Sequence, residues 1–198
     1  MLLNGVTRCY MLSNGVTWCY KVLRNVKRCY MVLQGVTRCN TVLQSVSRCY
    51  MVLHGITWCC KWFMVLNGGR WCYTVLHGPK WCYMVLSGVS RCYMFLHGVG
   101  GVARCYTVLH GLILFYVVLH GVTWFYKVLH SVTRCYMVLL GVTRCYMTLH
   151  GVARCYTVLH SVIRCYTLLY GVTLCYVILN SVTRCYMVLH RVKWFYIE

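Results

Sequence analysis

The sequence predicts an all-β protein built from tandem ten-residue repeats. Three observations carry that expectation: an unbroken decamer period, a composition suited to pleated strands, and a turn signal in almost every unit. The period runs from MLLNGVTRCY (1–10), MLSNGVTWCY (11–20) and KVLRNVKRCY (21–30) to MVLHRVKWFY (187–196), leaving Ile197 and Glu198 over. Two units, 51–63 and 94–106, are three residues longer, so that seventeen units of ten and two of thirteen fill 196 residues. No linker or change of composition interrupts the array, which reads as one repeat region over 1–198 without separate domains.

Each part of the unit has a structural reading. Ten is even, so the two-residue alternation of a strand keeps its phase from unit to unit, whereas a helix would rotate its face. Val, Thr, Tyr, Cys and Trp favour half-buried pleated surfaces. Gly or Ser recurs at the fifth position, and Asn4-Gly5, Asn14-Gly15 and Asn67-Gly68 are two-residue hairpin signals. The spacing leaves eight-residue strands such as Val6 to Ser13, and the preferred architecture is an antiparallel meander, or a barrel or solenoid made from it. In regular alternation neither face is clean, since Val, Arg and Tyr share one face while Thr, Cys, Met and Leu share the other. Such a pattern specifies register poorly. Long β-prone stretches with Pro79 as the one proline and no carboxylate gatekeepers are also an aggregation hazard.

The period has a coding explanation. The decanucleotide ATGGTGTTAC, written three times, translates as Met-Val-Leu-His-Gly-Val-Thr-Trp-Cys-Tyr, the consensus of the chain, and every frame yields the same cyclic peptide. Most departures lie one base away. Met31, Thr107, Lys127 and Val117 share the first position, where ATG, ACG, AAG and GTG relate them and side-chain chemistry does not. His54, Asn4, Gln34, Tyr170 and Leu140 share the fourth in the same way. Three surplus residues in a long unit are nine nucleotides, one repeat copy short of a base. The expectation is the translation product of a diverging ten-nucleotide tandem repeat with no specific biochemical function.

Composition excludes several classes. The chain is 61% hydrophobic and only 11% charged, with 20 Lys and Arg against a single acid, Glu198, for a formal charge of +19. A soluble domain ordinarily has about 25% charged residues. A membrane reading therefore rivals the all-β one, with one or two transmembrane helices. Cys105 to Tyr126 runs twenty-two residues without Lys, Arg, Asp or Glu, enough to span a bilayer as a helix, although His110 and His120 add a polar cost. Cys165 to Thr183 is a weaker span. The start of the chain shows no basic region ahead of a sustained apolar stretch, so no conventional secretory signal is expected, and no compartment follows.

The seventeen Cys fall mostly ten apart, as at Cys9, Cys19, Cys29, Cys39 and Cys49, with no Cys-x-x-Cys pair. His-to-Cys offsets of five, as from His54 to Cys59, place the two on opposite faces of a strand. Neither metal nor cofactor is expected, and free thiols are. With one carboxylate there is no acid to orient a catalytic His, no carboxylate pair, and no oxygen cage for Mg²⁺ or Ca²⁺, so no enzyme is expected. The functional alternative is a nonspecific polyanion binder. Arg38, Arg48, Arg134, Arg144, Arg154 and Arg164 recur at one unit position, next to Cys-Tyr in all but Arg38, which precedes Cys39-Asn40, and regular cations beside aromatics can neutralise phosphates while offering stacking faces. The partners implied are self-association and nonspecific nucleic acid or anionic membrane.

Overall fold

The chain winds as a flattened two-sided β-solenoid. A computed structural model describes residues 2–15, 18–35, 38–55, 62–78, 81–98 and 104–198, and for Cys19, Arg38, Cys39, Trp62 and Phe63 the backbone only. Among the described residues there are twenty strands and no helix, from β1 (Leu2–Asn4) to β20 (Trp194–Ile197). Odd-numbered strands form one ten-stranded sheet and even-numbered strands the other. A regular coil is therefore two seven-residue strands and two three-residue corners, as in β14 (Arg134–Leu140), β15 (Arg144–His150) and the corners beside them.

Neighbouring strands in each sheet are parallel, which corrects the antiparallel pairing expected from the turn signals. β14 pairs with β16 (Arg154–His160) in the register Cys135↔Cys155 and Leu139↔Leu159, twenty residues apart. Each unit position thus stacks on itself. Where a long unit intervenes, the offset becomes twenty-three and unit positions still align, as in Leu43↔Leu66 between β5 (Arg38–Gln44) and β7 (Trp62–Asn67). Residues 56–61 and 99–103, one stretch in each long unit, lie outside the described residues.

The corner explains both the direction and the sorting of side chains. Its first residue takes the left-handed conformation, as at Gly141 (φ 62) and, at some cost, Ser131 (φ 55) and Arg191 (φ 54). That single residue turns the chain toward the facing sheet instead of back along its own. It also breaks the two-residue alternation. Val132, Val142 and Val152, which unbroken alternation would set beside Arg and Tyr, instead point inward and are fully buried with Leu139, Cys145 and Leu149. The mixed faces expected of regular alternation are thereby resolved in the consensus unit: Cys and Met, Leu at the third position and the corner Val face in, while Arg, Tyr, Val at the second position and His face out.

Corner backbone groups are satisfied by the coils on either side. Gly141 N–H donates to the His160 carbonyl at 3.0 Å, Thr143 N–H to that of Val122 at 3.1 Å, and Arg144 N–H to that of Thr123 at 2.9 Å. The parallel ladder thus continues around the bends, which lets a corner valine be buried without orphaning its neighbours' amides.

The helical membrane reading fails on the same geometry. Cys105 to Tyr126 is divided among β11 (Arg104–His110), β12 (Leu114–His120) and β13 (Trp124–His130), with left-handed corners at Gly111 and Gly121. Cys165 to Thr183 is similarly divided between β17 (Arg164–Tyr170) and β18 (Leu174–Asn180). Among the described residues no helix is long and apolar enough to cross a membrane.

Candidate polyanion interface

The outer surface consists of side-chain columns running along the stack. A seven-residue strand presents four outward positions, occupied in the consensus by Arg or Trp, then Tyr, then Val, then His. In-register parallel pairing repeats each about 4.8 Å farther along.

The arginines singled out by sequence are divided between two faces. Arg134 and Arg154 are aligned on the even-strand sheet, and Arg144 and Arg164 on the odd-strand sheet, where Arg184 continues the column. Arg48 lies on the even-strand sheet between Arg28 and Trp71. Arg38 aligns through its backbone with Trp18, and its side chain lies outside the described residues. Units ten apart belong to opposite sheets, so Arg144 and Arg154 do not share a face. Arg8, Arg28 and Arg184 hold the same position and belong to these columns, a membership visible in the repeat once the twenty-residue coil is known.

Tryptophans interrupt the columns and spread the charge. The Arg91 guanidinium lies 4.6 Å over the Trp71 ring, Arg104 4.6 Å over Trp81, and Arg144 4.4 Å over Trp124. These distances fall within cation–π range. Elsewhere like charges are stacked directly, an arrangement that destabilises a sheet unless counter-anions occupy it.

The tyrosines differ from expectation in how they are presented. Tyr136, Tyr156 and Tyr176 stack at 5.0 and 5.2 Å with interplanar angles of 4° and 3°. Two aromatic rings in contact lie about 3.5 Å apart, so a base entering between two tyrosines needs roughly 7 Å. The faces are already occupied by one another, and a ligand along the column meets ring edges and hydroxyls. Arginine is then the charged group this surface presents, with tyrosine forming its border.

Histidines form a parallel column beside the corners. His54, His77, His97 and His120 stack at 4.7, 5.0 and 4.8 Å. Partial desolvation, then the neighbouring His120 and His77, hold His97 below the usual imidazole range. Cysteine faces the other way: Cys49 is buried while His54 of the same strand is exposed. Among the described residues no group of three or more His, Cys, Asp or Glu is arranged to hold a metal ion.

Among the described residues, two lysine side chains that the sequence did not flag as inward lie in the interior. Lys127 is fully buried, its Nζ 3.7 Å from Cys135 Sγ as donor and 3.9 Å above the Phe115 ring, both on the opposite sheet. Burial lowers its pKa against the opposing influence of Cys135 and Cys155. Lys21 is also buried, and its Nζ has no hydrogen-bond partner. Both occupy the first unit position, where Met31, Met51, Met137 and Met147 fill the core.

Compared with protein-family models, curated proteins and solved structures, the chain matches none.

Proposed function

We propose that this repeat-built β-solenoid holds polyanions, single-stranded nucleic acid foremost, through its arginine columns and without sequence selectivity. The observation that carries this reading is the alignment of Arg144, Arg164 and Arg184 on one sheet and of Arg134 and Arg154 on the other, in a chain with Glu198 as its single carboxylate. A linear array of cations one strand spacing apart matches the linear charge of a polyanion. It offers no base-reading group with a defined partner. Phosphate neutralisation releases counterions, so affinity falls linearly with salt on logarithmic axes, with a slope of about −0.7 per phosphate contacted on a single strand.

The test is fluorescence anisotropy of two oligonucleotides of unrelated sequence across a salt series. Equal affinities and parallel slopes are expected. The combined replacement Arg144→Gln, Arg164→Gln and Arg184→Gln should flatten the slope by about 2, three contacts at about 0.7 each. Affinity that survives high salt, or a strong preference for one sequence, would overturn the reading, and anionic vesicles serve as the competing polyanion.

A second reading, that the chain is an unselected translation of a ten-nucleotide repeat, is favoured by the buried lysines. Lys21 and Lys127 stand one base from the methionine that fills equivalent core positions, and an inward ammonium is a poor choice for stability. Sequencing the coding region tests it: codons in ten-base register support it, and codons without that register refute it.

A further inference from the structure

The geometry points to a binding groove for flat, anionic aromatic molecules on the odd-strand face, a site that goes beyond polyanion adhesion and shares only its arginines. The groove has a volume of about 280 Å³ and runs across β13, β15, β17 and β19 (Arg184–His190). Its wall is the column Tyr126, Tyr146, Tyr166 and Tyr186, and its other flank includes Leu168 and Val188. Tyr146, Tyr166 and Tyr186 stack at 5.0 and 5.1 Å, which makes the wall continuous, while Tyr126 is tilted 35° at 6.2 Å and closes one end.

Shape selects a flat, elongated ligand. Three interstrand steps of about 4.8 Å give a straight trough roughly 14 Å long. The tyrosines are taller than the aliphatic residues two positions on, so a ring system aligned with the stack lies against ring edges on one side and methyl groups on the other. The flank is open to solvent, with Leu168 42% and Val188 60% exposed, and is apolar but for the half-buried Thr148. An aromatic body covering several adjacent strands removes that surface from water at once, where a globular ligand would touch one or two.

Charge selects an anion. Arg144, Arg164 and Arg184 form the next outward column beyond the tyrosines, two residues back along each strand and thus about 7 Å away. No carboxylate side chain lines the groove. Sulfonate or carboxylate groups on the ring system would reach these guanidiniums past the tyrosine edges while the rings occupy the trough.

Congo red, a flat dianionic dye, is the probe, and thioflavin T, flat and cationic, is its charge control. Saturable Congo red binding is expected, at least tenfold tighter than thioflavin T. Leu168→Trp fills the groove and should weaken Congo red at least tenfold, whereas Ile178→Trp, at the equivalent position of the even-strand sheet, should leave it unchanged. Val188→Trp, at a more exposed site, provides a second block should Leu168→Trp fail to fold by circular dichroism. Equal binding of both dyes overturns the anionic preference. Congo red unaffected by either blocking variant overturns the groove and leaves the polyanion reading standing. Loss of oligonucleotide binding with intact groove-dependent dye binding has the converse meaning.

Discussion

Replacing Lys127 with methionine should stabilise the protein, because the native side chain is an ammonium confined to a dry core. Its Nζ reaches across the sandwich to Cys135 Sγ at 3.7 Å and Phe115 at 3.9 Å, neither a full counter-charge at neutral pH. Burial lowers the folded-state pKa of Lys127, while the unfolded chain protonates near the ordinary lysine value of about 10.4. Above that value both states are neutral and the lysine exacts no penalty. As pH falls below it the unfolded chain takes up a proton that the folded core resists, and stability drops by up to about 1.4 kcal/mol per pH unit until the folded-state pKa is reached. Below that point the deficit is constant. Methionine, the residue at Met137 and Met147, fills the same space without the charge, and replacing buried ions by apolar side chains commonly gains about 1–4 kcal/mol. Urea unfolding of wild type and Lys127→Met from pH 7 to 10.5 provides the assay. The difference between them isolates the lysine, because the many thiols titrate in both proteins. The expected difference is largest at pH 7 and shrinks as pH approaches 10.4. A variant no more stable than wild type at pH 7, or a difference independent of pH over this range, would refute the reasoning.

Other consequences follow from the corners, the core and the orphan lysine. Lys21→Met should raise stability by about 1–3 kcal/mol in the same assay, since an unpartnered buried donor carries at least the desolvation cost of a polar group. Gly141→Ala should lower stability by about 1 kcal/mol, because its φ of 62° is strained for any residue with a Cβ, while Ser131→Gly should raise it by a similar or smaller amount; thermal denaturation reads both. Cys135, Cys145 and Cys155 are fully buried and should react with maleimide at pH 8 at least about a hundredfold more slowly than in urea. Half-buried Cys185 should react before them in the native protein, though more slowly than an ordinary thiol, because burial and then Cys165 push its pKa up to about 12.

The repeat made strand content legible from sequence, whereas Cys59, which the offset of five set on the face opposite His54, lies outside the described residues. The turn was legible only as a turn. Asn4-Gly5 signals a left-handed residue, and both a hairpin and a solenoid corner need one. What decides between them is the fate of the next residue. Val142 is driven inside by the phase break at Gly141, a sorting that an uninterrupted alternation conceals. The apolar run from Cys105 to Tyr126 suggested a helix by length because its corners, at Gly111 and Gly121, carry no charge to mark them. Arginine was identified by type and spacing, but its division between two sheets depends on a coil of twenty residues instead of ten. Lys127 escaped notice because a lysine at a first position reads as a solvated charge until Met137 and Met147 are seen to point inward.

Parallel pairing of units twenty residues apart is the claim on which the columns, the groove and the buried lysines all depend. Photo-oxidative dityrosine crosslinking tests it with native residues, since phenoxyl coupling requires adjacent rings. Tyr136 and Tyr156 lie 5.0 Å apart, as do Tyr146 and Tyr166, whereas Tyr146 and Tyr156 project from opposite sheets. Cleavage at Arg134, Arg144, Arg154 and Arg164 places these tyrosines in distinct peptides for mass spectrometry. Intramolecular 136–156 and 146–166 links without a 146–156 link are the predicted result, and a dominant 146–156 link would contradict the solenoid.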